Sequence, residues 1–317
     1  MEMNLTATTS ETEAFLKEWF NDNDYVTAQT SGSTGTPKVI HLLKSDMIAS
    51  AIATNEFFGI DATSRLVCPL SASYIAGKMM IVRALVSRCE LHMLQPSNHL
   101  ELSGRITLLP VVPSQIESLV SEGVSGARIE NIIVGGAPMT VSQEQMLGKL
   151  PSACYATYGM TETCSHVAVR PVGTPDFVAL PGVTFAVDER DCLVINLERF
   201  SFNRLVTNDV VTLVGNDRFR WVGRYDNVVN SGGIKLFPEE IESEMASMIK
   251  GEFYLGGVPD DKWGERLVMY VTPAPEFAMD RLRDNLPHVK LPKEVRVLHE
   301  FPHTSSGKIK RSELNKF

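Results

Sequence analysis

Thr30-Ser31-Gly32-Ser33-Thr34-Gly35-Thr36-Pro37-Lys38 is the stretch on which the reading of this 317-residue chain turns. Gly32 and Gly35 permit left-handed or close-approach backbone, so that successive N–H groups can converge on an anion. The hydroxyls of Thr30, Ser31, Ser33, Thr34 and Thr36 add donors without bulk. Lys38 adds a point charge suited to phosphate oxygens. A flexible Ser/Gly/Thr linker would have the same composition. Two features weigh against a linker: strand-like Tyr25–Gln29 precedes the stretch, and apolar Val39-Ile40 follows it. The GxxxxGK[ST] spacing is absent, which disfavours a Walker-type kinase or ATPase loop.

Outward from this loop, short apolar strands alternate with helical stretches. Ser45–Phe58, Gly77–Cys89 and Pro113–Glu122 read as helices, the last with proline in its first turn. Arg65–Pro69, Leu91–Leu94, Ile106–Leu109 and Asn131–Val134 read as strands. This alternation predicts an α/β core, a mostly parallel sheet covered on both faces. Upstream, Ser10-x-x-Glu13 has the form of a capping box opening a short helix that ends near Phe20. After Tyr158 the segments 165–170, 183–188, 191–196, 204–214 and 218–222 are short and strand-like, split by Gly, Pro, Asn and Asp. They predict a small antiparallel β subdomain packed beside the core. From Asn227 the pattern changes again. A helix over Pro238–Ile249, strands near 253–258 and 267–272, a helix near 278–285 and a strand near 294–299 predict a small α+β domain. The boundary falls at Gly223–Asp226, giving domains 1–224 and 225–317.

Composition narrows the function classes. The 38 acidic and 30 basic residues leave a net charge of -8, which argues against a broad nucleic-acid-binding face. The five cysteines, Cys68, Cys89, Cys154, Cys164 and Cys192, form no CxxC pair and no metal-ligand spacing. They predict reduced core thiols and a cytoplasmic setting. No apolar run is long enough to span a membrane, and MEMNLTATTSETEAF lacks the order of a signal peptide.

Further blocks follow the loop in order. They are Val134-Gly135-Gly136-Ala137-Pro138, Tyr158-Gly159-Met160-Thr161-Glu162-Thr163, Thr207-Asn208-Asp209 and Gly223-Arg224-Tyr225-Asp226. Ser231-Gly232-Gly233-Ile234-Lys235 with Glu239-Glu240-Ile241-Glu242 comes next, and Pro302-x-Thr304-x-x-Gly307-Lys308-Ile309-x-Arg311 closes the chain. With the loop at 30–38, this series resembles the adenylate-forming superfamily of acyl- and aryl-CoA synthetases, luciferases and peptide-synthetase adenylation domains. The resemblance spans residues 30 to 311. It implies that Thr30, Ser31, Gly32, Ser33, Thr34, Gly35 and Lys38 hold the phosphates of ATP, and that Gly135, Gly136, Ala137 and Pro138 border the adenine. Tyr158 and Gly159 belong to the same nucleotide site, where the tyrosine offers a flat face. Thr161 would bond the α-phosphate, and Glu162 would give Mg²⁺ a hard oxygen. Asp209 and Arg224 would face the ribose. Lys308 is the implied catalytic lysine, stabilising charge as a carboxylate attacks the α-phosphorus. It reaches the site only if the C-terminal domain closes about a hinge at Asp226. Once that domain rotates, Ser231, Gly232 and Gly233 would border a channel for the thiol of CoA.

The acid pocket is implied by Pro69–Gly77 and the helix after it. Tyr74 stands where many relatives carry histidine, which leaves no histidine gate. Lys78 and Arg83 on the helix suit a substrate with a second carboxylate, although an amphipathic helix could equally turn both to solvent. With this Gly77-Lys78-x-x-x-x-Arg83 pattern, the chain is most similar to the o-succinylbenzoate–CoA ligases of menaquinone biosynthesis. The resemblance thus implies ATP, Mg²⁺, CoA and a small aromatic dicarboxylate, with no nucleic acid and no membrane; a homo-oligomer is compatible with it. Family members carry a sizeable subdomain ahead of the phosphate loop, so a shortened N-terminal scaffold is expected here. Loading of a carrier protein instead of CoA, and a shortened nucleotide-binding regulator, are the competing readings.

Overall fold

The computed structural model describes residues 4–29, 38–123, 126–273, 279–303 and 309–314. One twelve-stranded sheet frames the larger part of the chain. Across its parallel half the order is Asn4–Ala7, Glu90–Met93, Arg65–Cys68, Gly104–Val111, Ala127–Val134 and Ala153–Gly159. The direction then changes. His166–Pro171, Phe177–Ala179, Arg218–Arg224, Arg204–Leu213, Cys192–Leu197 and Val183–Val187 follow, each antiparallel to its neighbour. The antiparallel strands therefore continue the parallel sheet edge to edge instead of packing beside it. The physical reason is the outer edge of Ala153–Gly159, whose N–H and C=O groups would otherwise stay unpaired. The fold class is the expected α/β arrangement, with a mixed large sheet and a separate small one.

Helices Lys44–Phe58 and Ile75–Ser87 cover one region of the sheet. Helix Ile75–Ser87 is buried without interruption from Gly77 to Leu85, and Met79, Met80, Ile81, Val82 and Ala84 have no exposed surface. A helix apolar on nearly all sides belongs inside the layer stack. Phe57 and Phe58, late in the first helix, pack with Tyr155 and reach the core of the antiparallel half.

Several local expectations shift. The helix Ser10–Trp19 is capped by Thr9, whose hydroxyl accepts from the Thr12 amide, so Ser10 and Glu13 do not form the box. The stretch from Pro113 splits into a 3₁₀ turn, a short α segment and a π-helical turn over Leu119–Gly123. Strand Asn4–Ala7 and helix Val141–Leu147, the latter opened by a Thr140/Gln143 capping box, escape the sequence reading.

After the turn Tyr225–Asn227 the chain builds a five-stranded sheet from Val229–Ser231, Ile234–Leu236, Phe253–Asp260, Gly264–Val271 and Glu294–Val297. Helices Pro238–Met245 and Met279–Asn285 close its core through Ile241, Met245 and Leu282. Tyr25–Gln29 and Val39–Leu43 pair as a separate two-stranded sheet. No helix among the described residues is long and apolar enough to cross a membrane.

Candidate active site

Two of the motif blocks, Val134–Pro138 and Tyr158–Thr163, leave the C-terminal ends of neighbouring parallel strands, where the sheet changes direction. Open α/β sheets hold their ligands at such a switch point. Val134 and Ala156 are cross-strand partners, so the turn at Gly135–Pro138 and the end of Ala153–Gly159 leave the sheet side by side. Thr157 ties them by donating to the Val134 carbonyl at 3.0 Å. Gly159 is dictated by its neighbours: a Cβ there would lie 2.4 Å from the Ser165 carbonyl oxygen. That close approach folds the chain back through the 3₁₀ turn Thr161–Thr163, leaving Thr161 half-buried and the Glu162 carboxylate exposed.

Tyr158 and Asp209 meet across the antiparallel half. The Tyr158 hydroxyl donates to Asp209 Oδ2 at 2.7 Å, while its ring stands edge-on to Phe219 and Phe177. Burial raises the Tyr158 pKa well above the phenol range, and the Asp209 charge adds to the rise. Trp221 completes the site, donating from Nε1 to Asp209 Oδ1 at 3.2 Å. Only cross-strand pairing puts Trp221 here, so spacing in the sequence gave no hint of it. Arg224 sits opposite Asp209 in register, 3.7 Å from Oδ1, and donates to Asp226 Oδ2 at 2.9 Å. Thr207 is a support: its hydroxyl donates to the Leu193 carbonyl and accepts from the Asp209 amide.

Asp226 is exposed and accepts from Asn208 as well as from Arg224. Arg190 donates to Asn208 Oδ1 and lies over the Tyr225 ring, which ties this turn to the large sheet. Ser231 ends a strand, and Gly232 and Gly233 form the following turn with φ of +60° and +82°. A Cβ on Gly232 would meet the Trp263 ring at 2.7 Å.

Arg83 is 2% exposed, and its guanidinium reaches the Ser165 hydroxyl and the Met80 sulfur. Its Nε has no hydrogen-bond partner, and it pairs with no carboxylate among the described residues. Burial pushes its pKa down to about 10, and the neighbouring His166 is held well below its usual range by burial and by the arginine charge. Lys78 is also buried, so neither cation turns to solvent. The two do not share a site, however. Lys78 bonds the Thr27 carbonyl at 2.6 Å and pairs with Glu18 at 3.6 Å, which leaves its charge occupied. Tyr74 caps the start of this helix with its side chain 69% exposed and does not close over Arg83.

Thr30, Ser31, Gly32, Ser33, Thr34 and Gly35 lie outside the described residues, as does Lys308. Their flanks are described. Lys38 directly follows residues 30–37, which join the two strands of the hairpin Tyr25–Gln29/Val39–Leu43. Residues 304–308 are bracketed by the bridge between His303 and Ile309 and by the Lys310 amide donating to the Pro302 carbonyl. Arg311, just beyond, donates to both carboxylate oxygens of Glu242. Among the described residues no cluster of His, Cys, Asp and Glu forms a protein-only metal cage. A lone exposed Glu162 suits a cation whose other ligands come from a nucleotide.

The chain is similar to known proteins in sequence and fold. A 2-succinylbenzoate–CoA ligase of Listeria monocytogenes serotype 4b is 24% identical, over 98% of this chain and 73% of its own length. The Enterococcus faecalis protein of the same name is 26% identical, over 88% and 67%. Among solved structures, an acyl-CoA synthetase (AMP-forming)/AMP-acid ligase II-like protein from Dyadobacter fermentans is 30% identical with a TM-score of 0.64. The match covers 97% of this chain and 93% of that one. The o-succinylbenzoate CoA synthetase of Bacillus subtilis, solved with ATP and magnesium, superposes with a TM-score of 0.76 at 20% identity, over 91% and 69%, and so shares the fold. The sequence also matches the family described as AMP-binding enzyme over residues 5–199, and its C-terminal domain over 252–308. With both matches in order along one chain, the protein belongs to the AMP-binding enzyme family.

Proposed function

We propose that this protein is an AMP-forming acid–CoA ligase acting on 2-succinylbenzoate, in a site between domains 1–224 and 225–317. The family membership and the names of its relatives support the reaction class. The substrate reading rests on Arg83, a guanidinium buried with no carboxylate partner among the described residues. Such a charge is costly to bury alone and is relieved by an anionic partner. An aromatic acid with a second carboxylate supplies one.

In the first half-reaction a carboxylate oxygen of the acid attacks the α-phosphorus of ATP. The bond to the β-phosphate oxygen breaks, and pyrophosphate leaves. Residues 30–38 hold the leaving phosphates through backbone and hydroxyl donors. Thr161 bonds the α-phosphate, and Lys308 stabilises the charge that builds there. Glu162 is the residue that would hold Mg²⁺, which bound to the triphosphate offsets its charge. Gly135, Gly136, Ala137 and Pro138 flank the adenine together with Tyr158 and Gly159. Asp209 keeps lone pairs for the ribose hydroxyls after accepting from Tyr158 and Trp221, with Arg224 alongside. In the second half-reaction rotation about Asp226 withdraws Lys308 and brings Ser231, Gly232 and Gly233 to the site. The CoA thiolate then attacks the acyl carbon, AMP leaves, and a thioester remains.

The test is mass detection of products from ATP, Mg²⁺, CoA and one acid at a time: 2-succinylbenzoate, benzoate, and short and long fatty acids. Thioester and AMP are expected from 2-succinylbenzoate, and Arg83→Met should raise KM for that acid with little change for ATP. Equal conversion of benzoate, or equal KM changes for acid and ATP, overturns the role of Arg83. AMP formed without a CoA thioester points to a carrier-protein acceptor.

A further inference from the structure

The hairpin Tyr25–Gln29/Val39–Leu43 belongs to neither large nor small sheet. A two-stranded ribbon is marginal by itself. Its inner face is anchored, since Val26, Ala28 and Leu42 lie in the core. Its outer edge is a separate matter, because alternate residues of an antiparallel strand turn N–H and C=O away from their partner. At Thr27 both outward groups are taken by side chains. The amide donates to Glu18 Oε1 at 2.6 Å, and the carbonyl accepts from Lys78 Nζ at 2.6 Å. Glu18 and Lys78 pair with each other at 3.6 Å, and the ammonium also lies 5.4 Å from the centre of the Phe15 ring. Glu18 and Lys78 thus stand in for one step of a third strand. They join the hairpin to helix Ser10–Trp19 on one side and to helix Ile75–Ser87 on the other.

We infer that Lys78, with Glu18, is a positioning residue for the phosphate-holding segment 30–38 and not a contact for the acid. This rests on the reading of that segment given above. Holding the ribbon edge fixes the two strand ends, Gln29 and Val39, between which the segment lies in the sequence. The grip then affects ligands that carry β- and γ-phosphates, and not AMP.

The experiment measures ATP and AMP binding calorimetrically, with Mg²⁺, in the intact protein and in Lys78→Met, Lys78→Arg and Glu18→Gln. Lys78→Met should raise Kd for ATP about tenfold or more, the weight of one charge-assisted bond, and leave that for AMP unchanged. Lys78→Arg should restore most of the loss. Amide exchange across Tyr25–Gln29 should quicken in the methionine variant, and that in helix Lys44–Phe58 should not. Glu18→Gln, on a side chain 27% exposed, keeps the question open to measurement if Lys78→Met does not fold; it should weaken ATP binding selectively too. Unchanged ATP binding in both Lys78→Met and Glu18→Gln, or equal weakening of ATP and AMP, overturns the proposal. An intact protein that binds AMP as tightly as ATP overturns the phosphate reading of 30–38, and the proposal with it.

Discussion

Replacing Arg311 by methionine removes the cation from a buried ion cluster in the smaller unit. Arg311 donates to Glu242 Oε1 and Oε2 at 2.8 and 2.6 Å and to the Leu255 carbonyl at 2.9 Å, and lies 3.4 Å from Glu239 Oε1. The side chains of Arg311, Glu242 and Glu239 are 16%, 15% and 9% exposed. Methionine fills much of the stem volume, so the loss is chiefly electrostatic. Breaking a buried pair by deleting one partner costs about 3–5 kcal/mol, because the other charge stays behind. The residual exposure places this case near the lower end, about 3 kcal/mol, a large share of the roughly 5–15 kcal/mol that holds a domain folded.

The pH dependence carries the sharper test. Burial already raises the Glu242 pKa, and hydrogen bonds from Arg311 are the main opposing influence. Without Arg311 the folded-state value rises further, so the folded protein holds a proton that the unfolded chain releases. The penalty is therefore complete above the raised pKa and disappears as pH falls below the ordinary glutamate value, about 4.3. Urea unfolding followed by circular dichroism, with amide exchange in helix Pro238–Met245, measures both effects. The double variant with Glu242→Gln should recover much of the loss. A loss under about 1 kcal/mol that is flat in pH would refute the view that Arg311 neutralises this cluster.

The other predictions concern chemistry and access. Lys308→Ala should abolish acyl-adenylate formation, read by pyrophosphate release, while thioester formation from supplied acyl-adenylate persists; equal loss of both removes its assigned role. Gly232→Ala places a side chain at φ +60° against Trp263, a strain of about 1–2 kcal/mol. It should slow the thiol step and spare adenylation, which single-turnover kinetics can separate. Every cysteine is buried, and burial pushes the thiols of Cys68 and Cys164 up to about 12 and that of Cys154 to about 11. A thiol reagent at neutral pH should label the native protein hardly at all and all five after denaturation; rapid native labelling would contradict this packing.

What the sequence made legible follows a physical division. Elements made of apolar runs between turn residues, such as Ile75–Ser87 and Arg65–Cys68, are readable because burial demands their composition. The blocks containing Gly135, Gly159 and Asp209 are readable because backbone turns and charges need specific residues at fixed spacing. Long-range pairing leaves no such trace. That Ala153–Gly159 would join the two halves of one sheet depends on His166–Pro171 finding its edge, and that Trp221 bonds Asp209 depends on the register between Arg204–Leu213 and Arg218–Arg224. Strand Asn4–Ala7 is four residues of mixed polarity, held by its parallel pairing to Glu90–Met93 and by Leu5 against the core.

Lys78 and Arg83 show how a pair in sequence can mislead. Both were read as charges for one ligand because both lie on one helix. At about 100° per residue, five positions separate their directions by about 140°. They cannot therefore address the same group unless it wraps the helix. The fold uses both faces: one meets the hairpin, where Glu18 and Thr27 take up the lysine, and the other meets Ser165 and His166, where no carboxylate among the described residues pairs with the arginine. The spacing thus already contained the separation. What it lacked was Glu18, a residue sixty positions away whose placement decides which of the two cations is paired.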